Sequence, residues 1–163
     1  MTVRTGLVLA TLALAGCWET SVTAESDATA LRILAEARSE NYSTSGDGWR
    51  RAPYFETRRT SLSPHGAMVD LWVTSNVVDA FEENPESPDW PVGSVAIKHG
   101  YDENENLQSR AIIVRQADGW FFAALTADDQ IVHSGQPEMC LSCHGGAVSY
   151  LRFIDFTPEN GDF

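Results

Sequence analysis

Positive charge and sulfur are both scarce in this chain of 163 residues. Eleven Lys and Arg stand against 23 Asp and Glu, a net charge of -12, and Lys98 is the single lysine. So acidic a surface repels phosphate backbones, which excludes nucleic acid as a partner. Beyond residue 16 no segment approaches the ~20 consecutive apolar residues that a spanning helix needs. Internal repeats are absent as well. Twelve Gly and 7 Pro, in a composition 43% hydrophobic and 10% aromatic, exclude collagen-like repetition and wholesale disorder. The length suits one domain with a small appendage.

That appendage is at the start. Arg4 precedes an apolar run, Leu7 to Ala15, too short to cross a membrane as a mature helix, and the pair reads as an export signal. The run ends Leu14-Ala15-Gly16-Cys17, which resembles a bacterial lipobox, where the cysteine receives lipid and becomes the new N-terminus. The alternative is an ordinary secretory leader cut at another small residue, with Cys17 incidental. The expected organisation is a signal peptide over 1–16, a lipidated tether over 17–26 and a single domain over 27–163. Trp18 and Glu19 follow the cysteine, so no Asp occupies the adjoining position, which favours the outer membrane over the inner. The domain is expected in the periplasm, attached to the membrane through lipid at Cys17 only.

Of the three cysteines, the remaining two lie in Cys140-Leu141-Ser142-Cys143-His144. The C-x-x-C-H order reads as covalent attachment of one haem c. Two thiols one helical turn apart can each add to a vinyl group of the same haem, and the adjacent His144 then serves as axial ligand to the iron. Zinc would need four ligands at short spacing, whereas His65, His99 and His133 are scattered singly. A thioredoxin-like pair would follow the first strand of a βαβ pattern, which is missing here. The residues after His144 contain no Met, His, Lys or Cys. A sixth ligand therefore comes from His65, His99, His133, Met68 or Lys98, or the sixth position is open to a small ligand.

The body reads as α+β, a predominantly antiparallel sheet with an N-terminal helix and a C-terminal haem-attachment helix. Asp27 to Tyr42 has helical spacing at Leu31, Leu34, Ala35 and Arg38, with Asp27 as its N-cap. Ser43 to Asp47 is a loop, after which Trp49 to Pro53 returns to the core. Ala67 to Thr74 alternates, with Ala67, Val69, Leu71 and Val73 on one face and Met68, Asp70, Trp72 and Thr74 on the other. Asn76 to Glu83 forms a short helix. Val92 to His99, Ala111 to Gln116 and Gly119 to Leu125 are strand-like, and Ala117-Asp118-Gly119 turns a hairpin between the last two. Tyr150 to Phe156 is an apolar tail that could pack on the sheet.

The order of these segments resembles the cytochrome P-460 family, which includes the cytochromes c-prime-beta. The likeness runs from about Ser63 to His144. It is carried by Pro64-His65-Gly66 leading into Val69-Asp70-Leu71-Trp72-Val73, then Trp90-Pro91-Val92-Gly93-Ser94-Val95-Ala96-Ile97-Lys98, then Gly119-Trp120-Phe121-Phe122 and the haem motif. The resemblance implies an exported sheet protein whose haem is five-coordinate through His144 and open on the distal side. It implies two functions for one fold, oxidation of hydroxylamine with an extra lysine-to-macrocycle bond, or binding of nitric oxide or carbon monoxide in an apolar, Phe-lined pocket. Lys98 stands where the cross-linking lysine would be; the alternative is a solvated or ion-paired strand lysine. Phe121 and Phe122 are neighbouring strand positions, so only one of them can line the pocket. Asp102, Glu103 and Glu105 could act as a distal base, although a solvated loop suits them better. His65 and His133 suit turn or loop positions.

The expected protein is a lipid-anchored periplasmic mono-haem cytochrome with an open distal site. It would perform redox chemistry on a small nitrogen compound and pass electrons to a partner cytochrome, with homodimers implied by analogy. The alternative is a gas-binding or electron-transfer protein without catalysis.

Overall fold

The structure, a computed structural model, describes residues 17–46, 48–61, 64–145 and 151, and gives the backbone alone for 17–23. The leader over 1–16 and the tail beyond Leu151 lie outside the described residues. Helix α1 (Cys17–Ser39) and a 3-10 turn (Tyr42–Thr44) precede strands β1 (Trp49–Arg51), β2 (Arg59–Thr60) and β3 (Met68–Thr74). Helix α2 (Ser75–Glu83) then leads to β4 (Val95–Tyr101), β5 (Leu107–Gln116), β6 (Gly119–Thr126), β7 (Ile131–Gly135) and helix α3 (Glu138–His144). All pairings are antiparallel, and the seven strands form one sheet in the order β1-β3-β4-β5-β6-β7, with β2 also on β3. The fold is α+β, an antiparallel meander with a helix at each end. Among the described residues no helix is long and apolar enough to cross a membrane.

Period-two alternation divides the sheet into two cores. On one face Trp72, Ile97, Ile112, Val114, Phe121 and Leu125 meet the stripe Ala30, Ile33, Leu34 and Ala37 of α1. On the other, Val69, Leu71, Val73, Ala96, Trp120 and Phe122 meet Val77 and Ala80 of α2, Phe55 and Leu151. The alternation expected for β3 is what the strand shows.

The helix stripe differs in phase from the expectation. Leu31 is 45% exposed, and the small Ala30 and Ala37 take the inner positions, where they let α1 lie close against the strands. Asp27 is not an N-cap, because α1 begins at Cys17 and so includes the stretch assigned to a tether. Asp27 instead accepts a 2.5 Å hydrogen bond from Ser134 of β7, which ties the helix to the last strand. His133-Ser134-Gly135 accordingly belongs to a strand and not to a loop. The turn between β5 and β6 falls as expected, with Gln116 opposite Gly119.

Candidate functional site

The second face of the sheet is hollow at its centre. Register places Leu71, Lys98, Ala111 and Ala124 in one row across β3, β4, β5 and β6, and Val73, Ala96, Ile113 and Phe122 in the next. Among them Ala96, Ala111 and Ala124 present only methyl groups, which leaves space above the middle of the sheet. The result is a mainly apolar cleft of about 860 Å³, counting the part open to solvent.

Helix α3 forms one wall. Pro137 stands before its first turn with φ at -61° and ends the preceding extended segment, and Cys140 N–H donates to the Pro137 carbonyl at 2.9 Å. Cys140, Cys143 and His144 fall at i, i+3 and i+4, so they share one face of the helix. All three line the cleft with Met139. Cys140 is half-buried, and burial together with Cys143 raises its thiol pKa. The ring of Phe122 lies 5.4 Å from that of His144, tilted by 51°, and so props the imidazole.

Lys98 faces the same space from β4, and Pro64 and His65 from the turn before β3. Burial, then the positive charges of Lys98 and His144, lower the His65 pKa to about 4. At neutral pH it is an uncharged imidazole with one donor and one acceptor. His65 stands in a turn, as expected, but it lines the cleft and is not a plain surface residue. Its position before a strand is a local property, whereas the surface that brings it inward is a tertiary one.

The other candidates lie elsewhere. Phe121 points into the α1 core, as neighbouring positions on a strand require. His99 is buried on that same face, where Nε2 shares a 2.5 Å hydrogen bond with the Tyr42 hydroxyl. His133 is exposed on β7, and neither it nor Met68 lines the cleft. Asp102 is committed to its own loop, accepting from the N–H groups of Asn104 at 2.9 Å and Asn106 at 2.8 Å. Glu105 pairs with Arg58 at 3.2 Å, and Glu103 is exposed. This acidic cluster is a solvated loop. Among the described residues no three His, Cys, Asp or Glu side chains converge as a metal-ligand cluster.

The cleft can therefore present two thiols and an imidazole from one helix face over an apolar floor, with an amine and a second imidazole at its walls. Comparison with family models, curated proteins and solved structures gives no match.

Proposed function

We propose that the chain is an exported mono-haem c-type cytochrome resembling the cytochrome P-460 family, with its haem in the cleft between α3 and the sheet. The observation that carries this is the convergence of the Cys140-Cys143-His144 face and the sole lysine on one apolar cleft. The donor set fits: two thiols at the spacing of vinyl attachment, a prospective axial imidazole beside them, and a mainly apolar floor in which Lys98 is the charged residue. Cys140 and Cys143 would hold the macrocycle, and His144, propped by Phe122, would bind the iron. Lys98 would carry the cross-link that distinguishes hydroxylamine-oxidising members. Bound there, haem would supply a redox couple and an iron position for a small nitrogen compound such as hydroxylamine or nitric oxide, with electrons exchanged with a partner cytochrome. In the same proposal residues 1–16 are removed on export, and lipid on Cys17 attaches the chain to the periplasmic side of a membrane, the outer one by preference.

The apolar lining of alanine, isoleucine and phenylalanine favours a second reading, a gas-binding protein like cytochrome c-prime-beta. One preparation separates the two. Intact-mass analysis of protein matured in a haem-attaching bacterial host is expected to show one haem per chain. A strongly red-shifted ferrous Soret band, lost in Lys98→Ala together with hydroxylamine turnover, supports the enzyme. An ordinary haem c spectrum that responds to carbon monoxide, without turnover, supports the gas binder. Unmodified sulfurs refute both.

A further inference from the structure

We propose that Tyr42 and His99 form a proton-coupled one-electron redox site that draws oxidising equivalents away from the cleft. The source of those equivalents, a peroxide reacting at the cleft, rests on the haem reading above; the pair itself does not.

One strand separates the pair from the cleft. Lys98 faces the cleft, and His99, the next residue of β4, turns to the opposite core. There its Nε2 lies 2.5 Å from the Tyr42 hydroxyl oxygen, and the two side chains are 9% and 3% exposed. Burial raises the Tyr42 pKa against the charges of Arg110 and Arg38, so the hydroxyl is protonated at neutral pH. Burial, then Arg110, lowers the His99 pKa to about 4, which leaves an uncharged ring with one acceptor nitrogen. The positive Arg110 guanidinium also acts on the Tyr42 oxygen, which favours that oxygen as the acceptor there and turns the hydroxyl hydrogen toward Nε2. Nδ1 then carries the ring N–H and faces the Tyr101 hydroxyl at 3.3 Å. Acid and base are thus paired before any oxidation.

When Tyr42 gives an electron to a strong one-electron oxidant, its phenol becomes a strong acid. The O–H bond breaks, the proton bonds to Nε2, and a neutral phenoxyl radical stands beside a His99 imidazolium while the oxidant is reduced by one electron. Re-reduction by a one-electron donor returns the proton to the oxygen. Neighbouring rings are less suited to the loss. Trp72 lies under the Arg51 guanidinium at 4.6 Å and Tyr101 under that of Arg58 at 3.6 Å, and positive charge disfavours removing an electron from either. Centroid spacings of 4.8 to 6.2 Å join Trp72, Tyr42, His99 and Tyr101 in one run of contacts, which ends at the half-buried Tyr101. Packing alone asks for apolar rings at such a place, whereas this core desolvates a phenol and an imidazole together.

Freeze-quench EPR of the haem-loaded protein after addition of hydrogen peroxide reads the radical. A tyrosyl signal is expected, lost in Tyr42→Phe and kept in Tyr101→Phe. His99→Gln retains an acceptor for the hydroxyl but no base, and should form the signal about 100-fold more slowly, the low end for loss of a positioned base. Flash oxidation by photogenerated ruthenium(III) tris-bipyridine should give the same Tyr42 signal with or without haem, more slowly in D2O than in H2O. Should Tyr42→Phe fail to fold, the rate in His99→Gln and the D2O effect decide in its place. A signal that survives in Tyr42→Phe, a tryptophanyl signal instead, or equal rates in parent and His99→Gln overturns the proposal. So does a Tyr42 signal under ruthenium that peroxide does not produce in haem-loaded protein, since the pair then drains nothing from the cleft. A parent with no covalent haem sinks the haem reading, which mass alone reveals, while the ruthenium measurement still decides the Tyr42 and His99 pair.

Discussion

Acid should destabilise this fold through His99, on the face of the sheet remote from the cleft. The imidazole is 9% exposed, hydrogen-bonded to Tyr42 at 2.5 Å and set 3.3 Å from the Tyr101 hydroxyl, with the ring of Trp72 4.8 Å away. Burial and then the guanidinium of Arg110, with smaller effects from Arg38 and Arg58, push its pKa from 6.5 to about 4, against the opposing pull of Asp70. The unfolded chain therefore binds this proton more readily than the folded one. Stability is unaffected well above pH 6.5, falls as pH drops through 6.5, and levels off below about 4. Weighing the two equilibria at pH 5 gives a loss of about 2 kcal/mol relative to pH 7.5. Urea unfolding followed by tryptophan fluorescence at those two pH values measures it. His99→Gln keeps a hydrogen-bonding partner for Tyr42 but cannot titrate, so it should lose about 2 kcal/mol less than the parent over the same interval. His65 and the carboxylates titrate in both proteins and cancel. Equal losses in parent and variant would refute the assignment of a depressed pKa to His99.

Asp70 is 4% exposed and accepts from Arg51 at 2.7 Å and from Arg58 at 3.0 and 3.1 Å. Burial raises its pKa, but these hydrogen bonds and charges outweigh it and hold the carboxyl below 3.8. Asp70→Ala should cost about 3 kcal/mol in urea unfolding, toward the low end for a broken buried pair because both guanidiniums reach solvent. Phe121→Ala and Phe122→Ala should each cost about 3–5 kcal/mol, but only Phe122→Ala should also alter the ferric haem spectrum, since the Phe122 ring stands against His144 while Phe121 packs in the α1 core. Ala111→Leu adds bulk to the cleft floor, which is open to solvent on one side; it should leave the unfolding free energy within about 1 kcal/mol of the parent while lowering the haem-to-protein ratio after maturation.

Much of the sheet was legible because period-two alternation is a local property. Val69, Leu71 and Val73 against Trp72 sort themselves by face without reference to any neighbour, and the tight turn at Ala117-Asp118 fixes the register of β5 on β6. The phase of α1 was not legible, since Leu31 satisfies helical spacing as well as Ala30 does. What excludes it is how closely the helix approaches the strands, which is a tertiary matter. β7 was missed for a similar reason. An edge strand carrying His133 and Ser134 has little apolar alternation, and its pairing to β6 and to α1 through Ser26 and Asp27 holds it in place. The C-x-x-C-H motif was visible because helical spacing alone puts its three side chains together. His65 was not, because its turn lies against Gly100 and its carbonyl accepts from the Ser109 hydroxyl, which sequence places far from it.

The adjacency of Lys98 and His99 shows how the two faces divide the work. One residue along β4 separates a cation at the cleft from an imidazole sealed among Tyr42, Trp72 and Tyr101. A shift of one residue in the pairing of β4 would exchange them, putting a charged amine into the aromatic core and an alternation of Ile97 and His99 over the cleft floor. The cost of burying that amine without a partner is several kcal/mol, so the register that builds the α1 core also aims Lys98 at the cleft. The cleft therefore needs no folding determinants of its own along β4. It is what remains on the second face once the first is packed and the row through Ala111 and Ala124 is kept small.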